Sequence, residues 1–303
     1  MTIISIITPS YNQKDLLQRC IASVRDQVNE DLIIFHHIQD GGSTDGTSEW
    51  LSDNERFFTV DGGYHFSYKV EKDDSMYDAL NRGIEHILIS CLNDKKDFSA
   101  VAWLNCDEQY LPGTLKKVAN QMKAYPCGDF FYGNTLHVDL NGKLLTYRKN
   151  PPLRKIYVEA DHLYIQSASL FFRRSVFSEG TRFNTSMKSM SDCILMIDLL
   201  KKGKRGVRIN EYYSVFTMTG NNLSIEDVGL REIADWRDQA HLIIRLLRPL
   251  INGLRFIEKF LLGFYSERFP LNYSIYINDK FKRKYFSSAS GSWKFTWGNN
   301  NKK

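Results

Sequence analysis

The sequence has little of what marks a secreted or membrane-spanning protein. Its 303 residues include only five cysteines, an odd number without a CxxC pair, so we expect neither a disulfide framework nor a zinc site. No apolar run reaches the roughly 18–20 residues that a spanning helix needs. The opening MTIISIITPSYNQ lacks the basic segment and cleavage site of a secretory signal. These absences predict a cytoplasmic protein.

A strong overall charge is also missing. The chain has 40 Lys and Arg against 35 Asp and Glu, and this balance is too mild to indicate nucleic-acid binding. The charge is uneven, however, because positions 1–225 hold 26 basic and 27 acidic residues, whereas positions 226–303 hold 14 and 8. The hydrophobic share of 43% and charged share of 25% exclude a disordered or fibrous chain. The excess positive charge therefore belongs to the C-terminal quarter.

Strand and helix signals alternate in the first half. Short apolar runs predict strands at 3–7, 32–38, 66–70 and 100–104, and periodic segments predict helices at 14–27, from 45, at 76–92 and from 112. This alternation predicts an α/β fold with a mainly parallel, Rossmann-like sheet covered by helices on both faces. Ligands of such sheets bind at the carboxyl ends of the strands, where this chain concentrates polar residues.

The second half has a different pattern. It predicts strands at 129–139, 143–148, 165–173 and 206–218 and a helix at 191–202, with Asn141-Gly142 as a hairpin turn. From residue 225 on, the chain predicts a helical appendage. We therefore expect one domain at 1–224, with a ligand-binding half at 1–110 and a second half at 111–224, followed by a basic region at 225–303.

Three aspartates, Asp40, Asp73 and Asp107, each follow a predicted strand and should converge on one cleft. Gathered carboxylates repel one another unless a cation or hydrogen-bond donors lie between them. Oxygen ligands suit Mg²⁺ or Mn²⁺, which usually bind through one or two carboxylates together with substrate phosphates. The cleft therefore predicts a nucleotide diphosphate ligand, although the chain has neither a GxxxxGK[ST] loop nor a GxGxxG after the first strand.

Several motifs carry a resemblance to a known family. They are TPSYN at 8–12, DGGSTDGT at 40–47, EKD at 71–73, YDALNRG at 77–83, WLNCDE at 103–108, PG at 112–113, FFRR at 171–174 and Asp192. With these motifs in this order over roughly residues 1–220, the chain resembles the inverting glycosyltransferases of family two, which have the GT-A fold. The closest likeness is to bacterial enzymes that build O-antigen, colanic-acid or capsule repeat units.

The resemblance implies a metal-dependent enzyme that moves one sugar from a nucleotide-sugar, a UDP-hexose or UDP-N-acetylhexosamine, to a hydroxyl of a lipid-linked glycan. Residues 1–224 would then be the catalytic domain, with a nucleotide-sugar-binding half at 1–110 and an acceptor half at 111–224. The donor-binding residues that it implies are Pro9, Tyr11, Asn12, Asp40, Gly41, Gly42, Asp73, Asn81, Arg82, Asn105 and Cys106. Asp107, with Glu108 beside it, would bind Mn²⁺ or Mg²⁺. Structural alternatives stay open at this point: Tyr11 as a buried aromatic and Arg82 as a solvated side chain.

Asp192 is the expected catalytic base, since it stands where the family has its acceptor-activating carboxylate; the alternative is a helix cap. Gln166 is a weaker candidate for binding the acceptor. The Gln-x-x-Arg-Trp motif of processive synthases is absent, which favours addition of one sugar per acceptor. Two rival hypotheses are a sugar-phosphate nucleotidyltransferase, which would need a Gly-rich loop after the first strand, and a non-catalytic binding module, which would not need Asp107 or Asp192.

The C-terminal quarter contains a basic, apolar segment at 242–265 and a basic, aromatic cluster at 280–286. Pro249 and Gly253 are expected to divide the first segment into two helices. A basic amphipathic segment of this kind predicts attachment to a membrane surface. The membrane would be the cytoplasmic face of the inner membrane, where a polyprenyl-diphosphate-linked acceptor resides. A cap on the catalytic domain or a homodimer interface is the alternative.

Overall fold

The computed structural model describes residues 1–58, 63–93, 99–220 and 227–294, so the predicted domain boundary at 225 lies outside the described residues. The first half forms the elements β1 Thr2–Ser10, α1 Lys14–Arg25, β2 Leu32–Asp40, α2 Thr47–Phe58, β3 Tyr64–Val70, α3 Met76–Asn93 and β4 Ala100–Trp103. Strands β3, β2, β1 and β4 lie side by side in that order, and all three pairings are parallel.

The side chains of β1 pack against helices on both faces of the sheet. Its apolar side chains point to both faces of the sheet: Ile4 and Ile6 pack with Leu17 of α1, whereas Ile7 packs with Leu80 of α3 on the other face. A strand buried on both faces has a near-continuous apolar run rather than alternation, which is the pattern of TIISIITPS. The predicted layered arrangement of sheet and helices is confirmed.

The second half extends the same sheet. Its elements are β5 Glu108–Tyr110, α4 Thr114–Ala124, β6 Phe130–Val138, β7 Leu144–Arg148, α5 Lys155–Ala160, a 3₁₀ turn Ser167–Ser169, β8 Leu170–Arg173, α6 Arg174–Ser178, α7 Ser191–Lys201 and β9 Gly206–Thr217. The sheet continues from β4 through β8, β6 and β9 to β5, with β7 paired to β6 and with β8 antiparallel to both neighbours. The strand predicted at 165–173 is shorter than expected, because the 3₁₀ turn occupies its first half.

The C-terminal region contains α8 Asp227–Gln239, α9 Leu242–Leu261, β10 Leu271–Ile275 and β11 Lys284–Ser288. The predicted division of α9 is wrong, since Pro249 lies inside one continuous helix. Contacts on both sides of the proline hold this helix in place: Arg248 bonds to the carbonyl of Arg237, and Arg255 pairs with Asp161. The appendage is helical only to Leu261, after which β10 and β11 form an antiparallel hairpin.

The hairpin packs on β6 and β7 rather than standing apart. Tyr273 and Ile275 of β10 share a hydrophobic cluster with Leu136 and Val138 of β6 and with Leu144 of β7. In the part of the chain that the structure describes, no helix combines the length and apolarity needed to cross a membrane.

Candidate active site

Two loops at the carboxyl edge of the sheet are tied together. Asp40, the last residue of β2, is fully buried; it accepts hydrogen bonds from the N–H groups of Gly42 (3.1 Å) and Ser43 (2.8 Å) and from the Ser43 hydroxyl (2.6 Å). In the loop after β1, the Asn12 N–H donates to the Ser43 hydroxyl (2.8 Å), and its side-chain oxygen accepts from the Thr44 N–H (2.7 Å). Asp40 and Asn12 thus shape these loops, and their contacts with a donor stay predictions.

Tyr11 and Cys106 occupy opposite environments beside these loops. The Tyr11 side chain is 62% exposed, so it is not the buried aromatic of the structural alternative. Cys106 is buried, and its thiol donates to the carbonyl of Pro9 (3.2 Å). Burial raises the pKa of the Cys106 thiol well above its usual value, which keeps it neutral. Tyr11 therefore offers a free ring at the edge of the sheet, whereas Cys106 and Pro9 join the ends of β4 and β1.

Gly41 and Asp73 lie against each other. A Cβ atom on Gly41 would stand 2.6 Å from Oδ2 of Asp73, so the glycine makes room for this carboxylate. Gly42 has φ +84°, a left-handed conformation that glycine adopts without strain. Partial burial and then the charge of Asp78 raise the pKa of Asp73. The two predicted donor regions after β2 and β3 are therefore in contact.

Asn81 and Arg82 of α3 both have partners within the protein. The Arg82 guanidinium pairs with Asp78 (2.8 Å) and Glu71 (3.4 Å), so it is not simply solvated. The Asn81 amide donates to the carbonyl of Phe183 (3.0 Å) and accepts from its N–H (2.9 Å). Asn81 thus anchors the segment that leads into α7, and binding of a diphosphate by Arg82 stays a prediction.

Glu108 is the most unusual carboxyl of the site. It is fully buried at the start of β5, and it accepts hydrogen bonds from the Asn105 N–H (2.8 Å) and the Ser167 hydroxyl (3.4 Å). Burial, followed by the charges of Asp107 and Asp192, raises the pKa of Glu108 to about 8. This mutual influence indicates that the three carboxyls share one region, and it leaves Glu108 largely protonated at neutral pH.

Asp192 stands in the first turn of α7. Its Oδ1 accepts from the N–H of Cys193 (2.8 Å) and from the hydroxyl of Tyr77 (3.4 Å). The residue at the cap position is Met190, so Asp192 is not the helix cap of the structural alternative. Burial raises the pKa of Asp192 to about 6, although the two hydrogen bonds act in the opposite direction. Asp198, by contrast, is exposed on the same helix.

Gln166 directly precedes Ser167, which contacts Glu108. The amide nitrogen of Gln166 donates to Nε2 of His137 on β6 (3.1 Å). Burial, then the charge of Arg148, lowers the pKa of His137 to about 3, so its ring is neutral. The sequence did not single out His137 or Ser167. Tyr77 was missed too, although it opens the YDALNRG run.

A divalent ion was expected at Asp107. Among the described residues, no three His, Cys, Asp or Glu side chains are grouped so that they could hold a metal ion. An ion held mainly by substrate diphosphate oxygens needs only one or two protein carboxylates, however. Asp107 is half-buried here, and the side-chain oxygen of Asn105 is buried without a hydrogen-bond partner within the described chain. These two oxygen atoms fit such an ion.

Comparisons with known proteins identify the fold and the family. The family model of glycosyl transferase family 2 matches residues 5–181. A putative teichuronic acid biosynthesis glycosyltransferase, TuaG of Bacillus subtilis, is 26% identical over 223 residues, which are 73% of this chain and 81% of TuaG. A PGL/p-HBAD biosynthesis glycosyltransferase of Mycobacterium bovis is 24% identical over 200 residues, 62% of this chain and 66% of that protein.

Solved structures support the same conclusion about the fold. A crystal structure of S. aureus TarS matches 95% of this chain with a TM-score of 0.55 at 14% identity, and the chain spans 60% of that TarS chain. TarS 1-349 in complex with UDP matches 96% of this chain and 100% of that chain with a TM-score of 0.56 at 16% identity. The predicted α/β fold of the GT-A, Rossmann-like type is confirmed.

Proposed function

Because the chain belongs to glycosyl transferase family 2, and is therefore a glycosyltransferase, we propose that it transfers one sugar from a nucleotide-sugar with inversion at the anomeric carbon. The acceptor is a hydroxyl of a lipid-linked glycan in bacterial surface polysaccharide synthesis, an assignment supported by the name of the relative TuaG. The observation that carries the proposal is the placement of Asp192 in the first turn of α7, where its carboxylate accepts hydrogen bonds from Tyr77 and Cys193. Its pKa is raised, and the charges of Asp192 and Asp107 both act on Glu108.

The proposed donor is a UDP-hexose or UDP-N-acetylhexosamine. TarS, which shares the fold, has been crystallised with UDP and with UDP-GlcNAc. The exposed ring of Tyr11 can stack on a nucleotide base, and Asp73 offers a carboxylate beside Gly41 for hydroxyl groups of the donor. The loop that Asp40 and Asn12 hold in shape would position these groups.

Asp192 would act as the general base. A positioned base that takes the acceptor hydroxyl proton contributes about 10²–10⁴-fold to a rate, most effectively when its pKa approaches the working pH. The raised pKa of Asp192 serves this role, since the group is still mostly ionised at neutral pH. The Tyr77 hydroxyl holds the carboxylate in one orientation, and Gln166, fixed by His137, would position the acceptor. Mn²⁺ or Mg²⁺ held by Asp107 would, when bound, supply positive charge to the departing diphosphate.

The base assignment has a direct test. We expect Asp192→Asn to lower kcat by at least about 10²-fold, because the amide cannot accept the proton, and to change the affinity for UDP little. Asp198→Asn is the matched control, since it makes the same change at an exposed position of the same helix. Transfer to a glycan acceptor and calorimetric titration with UDP would be measured side by side on both variants.

The pH profile gives a second readout of the same prediction. The base works when ionised, so kcat should fall as the pH falls through about 6, rather than near the ordinary aspartate value of 3.8. Strong transfer by Asp192→Asn, or a rate that stays constant down to pH 4.5, would contradict the assignment.

The proposed place of action is the cytoplasmic face of the inner membrane, reached through α9. This helix presents apolar side chains to solvent, among them Leu246 (71% exposed), Leu250 (59%), Leu254 (51%) and Leu261 (76%). Glu258 faces the protein instead, because its carboxylate accepts hydrogen bonds from Arg154 (2.9 Å) and from Tyr157 of α5 (2.7 Å). A helix that turns its apolar face outward suits a lipid surface.

A further inference from the structure

A cationic cleft lies between β7 and the end of α9. Three basic side chains, Arg148, Lys149 and Lys259, line it together with the rings of Tyr265 and Trp293. The cleft encloses about 10 Å³ and opens to solvent, so a ligand larger than water would lie at its mouth.

Two of these cations have no counter-charge. Within the described residues, the side chains of Arg148 and Lys259 form neither an ion pair nor a hydrogen bond, and the ammonium of Lys259 lies 5.0 Å from the ring centre of Tyr265. Burial and then the charge of Arg148 lower the pKa of Lys259 to about 8. Lys149 is different, since it pairs with Glu267 (3.1 Å). Buried like charges of this kind are costly unless an anion lies between them.

The position of the cleft indicates which anion would reach it. Lys259 belongs to the last turn of α9, next to Phe260 and Leu261 of the exposed apolar face. On the other side, Arg148 of β7 lies opposite Thr135 of β6, two positions before His137, which holds Gln166. The cleft therefore lies between the face proposed to meet lipid and the side of the active site proposed to receive the acceptor.

We propose that Arg148, Lys149 and Lys259 bind a phosphate group carried by a membrane lipid. An arginine and two lysines match a phosphate through charge-assisted hydrogen bonds, and the guanidinium can bind two phosphate oxygens at once. Either the headgroup of an anionic phospholipid or the diphosphate of a lipid-linked acceptor supplies this group. The inference rests on the membrane attachment proposed above.

The experiment compares three variants of the full chain in vesicle sedimentation. Arg148→Gln/Lys259→Gln removes the two unpaired cations of the cleft. Lys116→Gln/Lys123→Gln removes two exposed cations from α4 and matches the change in net charge. Leu246→Gln/Leu250→Gln/Leu254→Gln changes the apolar face and tests attachment itself. The vesicles contain phosphatidylcholine alone, phosphatidylcholine with equimolar phosphatidylglycerol, or phosphatidylcholine with a small share of polyprenyl diphosphate.

We expect the cleft variant to lose roughly 30-fold in affinity for vesicles that contain phosphatidylglycerol or polyprenyl diphosphate. The α4 variant should lose much less. Loss confined to phosphatidylglycerol vesicles assigns the cleft to headgroups, and loss confined to polyprenyl diphosphate vesicles assigns it to the acceptor. Melting of Arg148→Gln at or above the native temperature would agree with an unpaired cation that serves binding. If Arg148→Gln/Lys259→Gln does not fold, the single variant Lys259→Gln replaces it in the same vesicle comparison.

A result that contradicts the phosphate site differs from one that contradicts membrane attachment. Equal binding by the native chain, the cleft variant and the α4 variant, with loss only in the α9 variant, overturns the phosphate site and leaves membrane attachment in place. A native chain that binds none of the vesicles, or an α9 variant that binds as well as native, overturns the attachment on which the inference rests.

Discussion

The carboxyls of the site differ in pKa because their surroundings differ. Glu108 has no exposed surface and lies near two other acids, whereas Asp192 receives hydrogen bonds from Tyr77 and Cys193. The pKa is about 8 in the first case and about 6 in the second, so the two groups carry different charges at neutral pH. Titratable neighbours separated in this way are typical of sites that use an acid and a base for different tasks.

Glu108 gives a prediction about stability. Its pKa is raised in the folded protein from an ordinary value of 4.5 to about 8, so its contribution to stability is fully present below pH 4.5 and is lost as the pH rises through 8. We expect Glu108→Gln to remove this dependence and to increase the free energy of unfolding by an amount on the order of 3 kcal/mol near pH 7. Urea unfolding at pH 4, 7 and 8.5 measures it.

The comparison across pH contains its own control. The gain from Glu108→Gln should be near zero at pH 4 and largest at pH 8.5, because only the charged form of the glutamate is unfavourable in the fold. A loss of stability that is the same at all three pH values would mean that the carboxyl contributes by its hydrogen bonds to Asn105 and Ser167 instead.

Single residues also mark the limit of sequence interpretation in this site. Motif spacing identified Asp192 and Gln166 as candidates, but the hydrogen bonds from Tyr77 to Asp192 and from Gln166 to His137 join residues 115 and 29 positions apart. Nothing in the local pattern around His137 distinguishes it from an ordinary strand residue. Its role becomes visible only when β6 and the 3₁₀ turn at Ser167 are packed together.

At the scale of elements, apolar patterns predicted most strands and helices because burial determines both. The run of isoleucines in β1 predicts a strand that is covered on both sides, and the structure confirms it. The errors occurred where tertiary contacts override local preference. Pro249 stays within α9, although proline normally ends or bends a helix. The segment Ser167–Ser169 forms a 3₁₀ turn, although the sequence around it predicts a strand.

Two glycines inside helices should respond to alanine in opposite ways. A Cβ on Gly83 of α3 would lie 2.5 Å from a methyl carbon of the buried Ile7, whereas one on Gly253 of α9 would meet no atom within 4 Å. We expect Gly83→Ala to lower the free energy of unfolding by about 1–3 kcal/mol, because it forces α3 away from β1. Gly253→Ala should raise it by about 0.5–1 kcal/mol, because alanine favours the helix.

Urea unfolding of both variants measures these changes, and Gly253→Ala is the control for the substitution itself. Equal effects of the two changes would show that helix preference, and not the close approach of α3 to the sheet, decides the outcome at Gly83.

At the scale of the whole molecule, the hairpin of β10 and β11 joins the C-terminal region to the first half of the chain. The Tyr276 hydroxyl donates to Asp26 (2.8 Å), the Arg283 guanidinium pairs with the same carboxylate, and the Tyr276 backbone exchanges two hydrogen bonds with the Gln109 side chain. These contacts link residues more than 160 positions apart, which no local pattern could indicate. The predicted boundary at 225 depends on the charge and the helical pattern of the chain, and neither of these indicates such distant contacts.

The last prediction follows from this docking. Ile275 of β10 is completely buried in the cluster formed with Leu136 and Leu144, whereas Phe281 in the same hairpin is 92% exposed. We expect Ile275→Ala to lower the free energy of unfolding by about 2–4 kcal/mol through loss of buried surface and the cavity left behind, and Phe281→Ala to change it little. Because the hairpin shares one hydrophobic cluster with β6 and β7, the variant should still unfold in one transition, with UDP binding lost at the same urea concentration as the circular dichroism signal. Two separate transitions, with UDP binding unaffected by the first, would mean instead that the C-terminal region folds independently of residues 1–224.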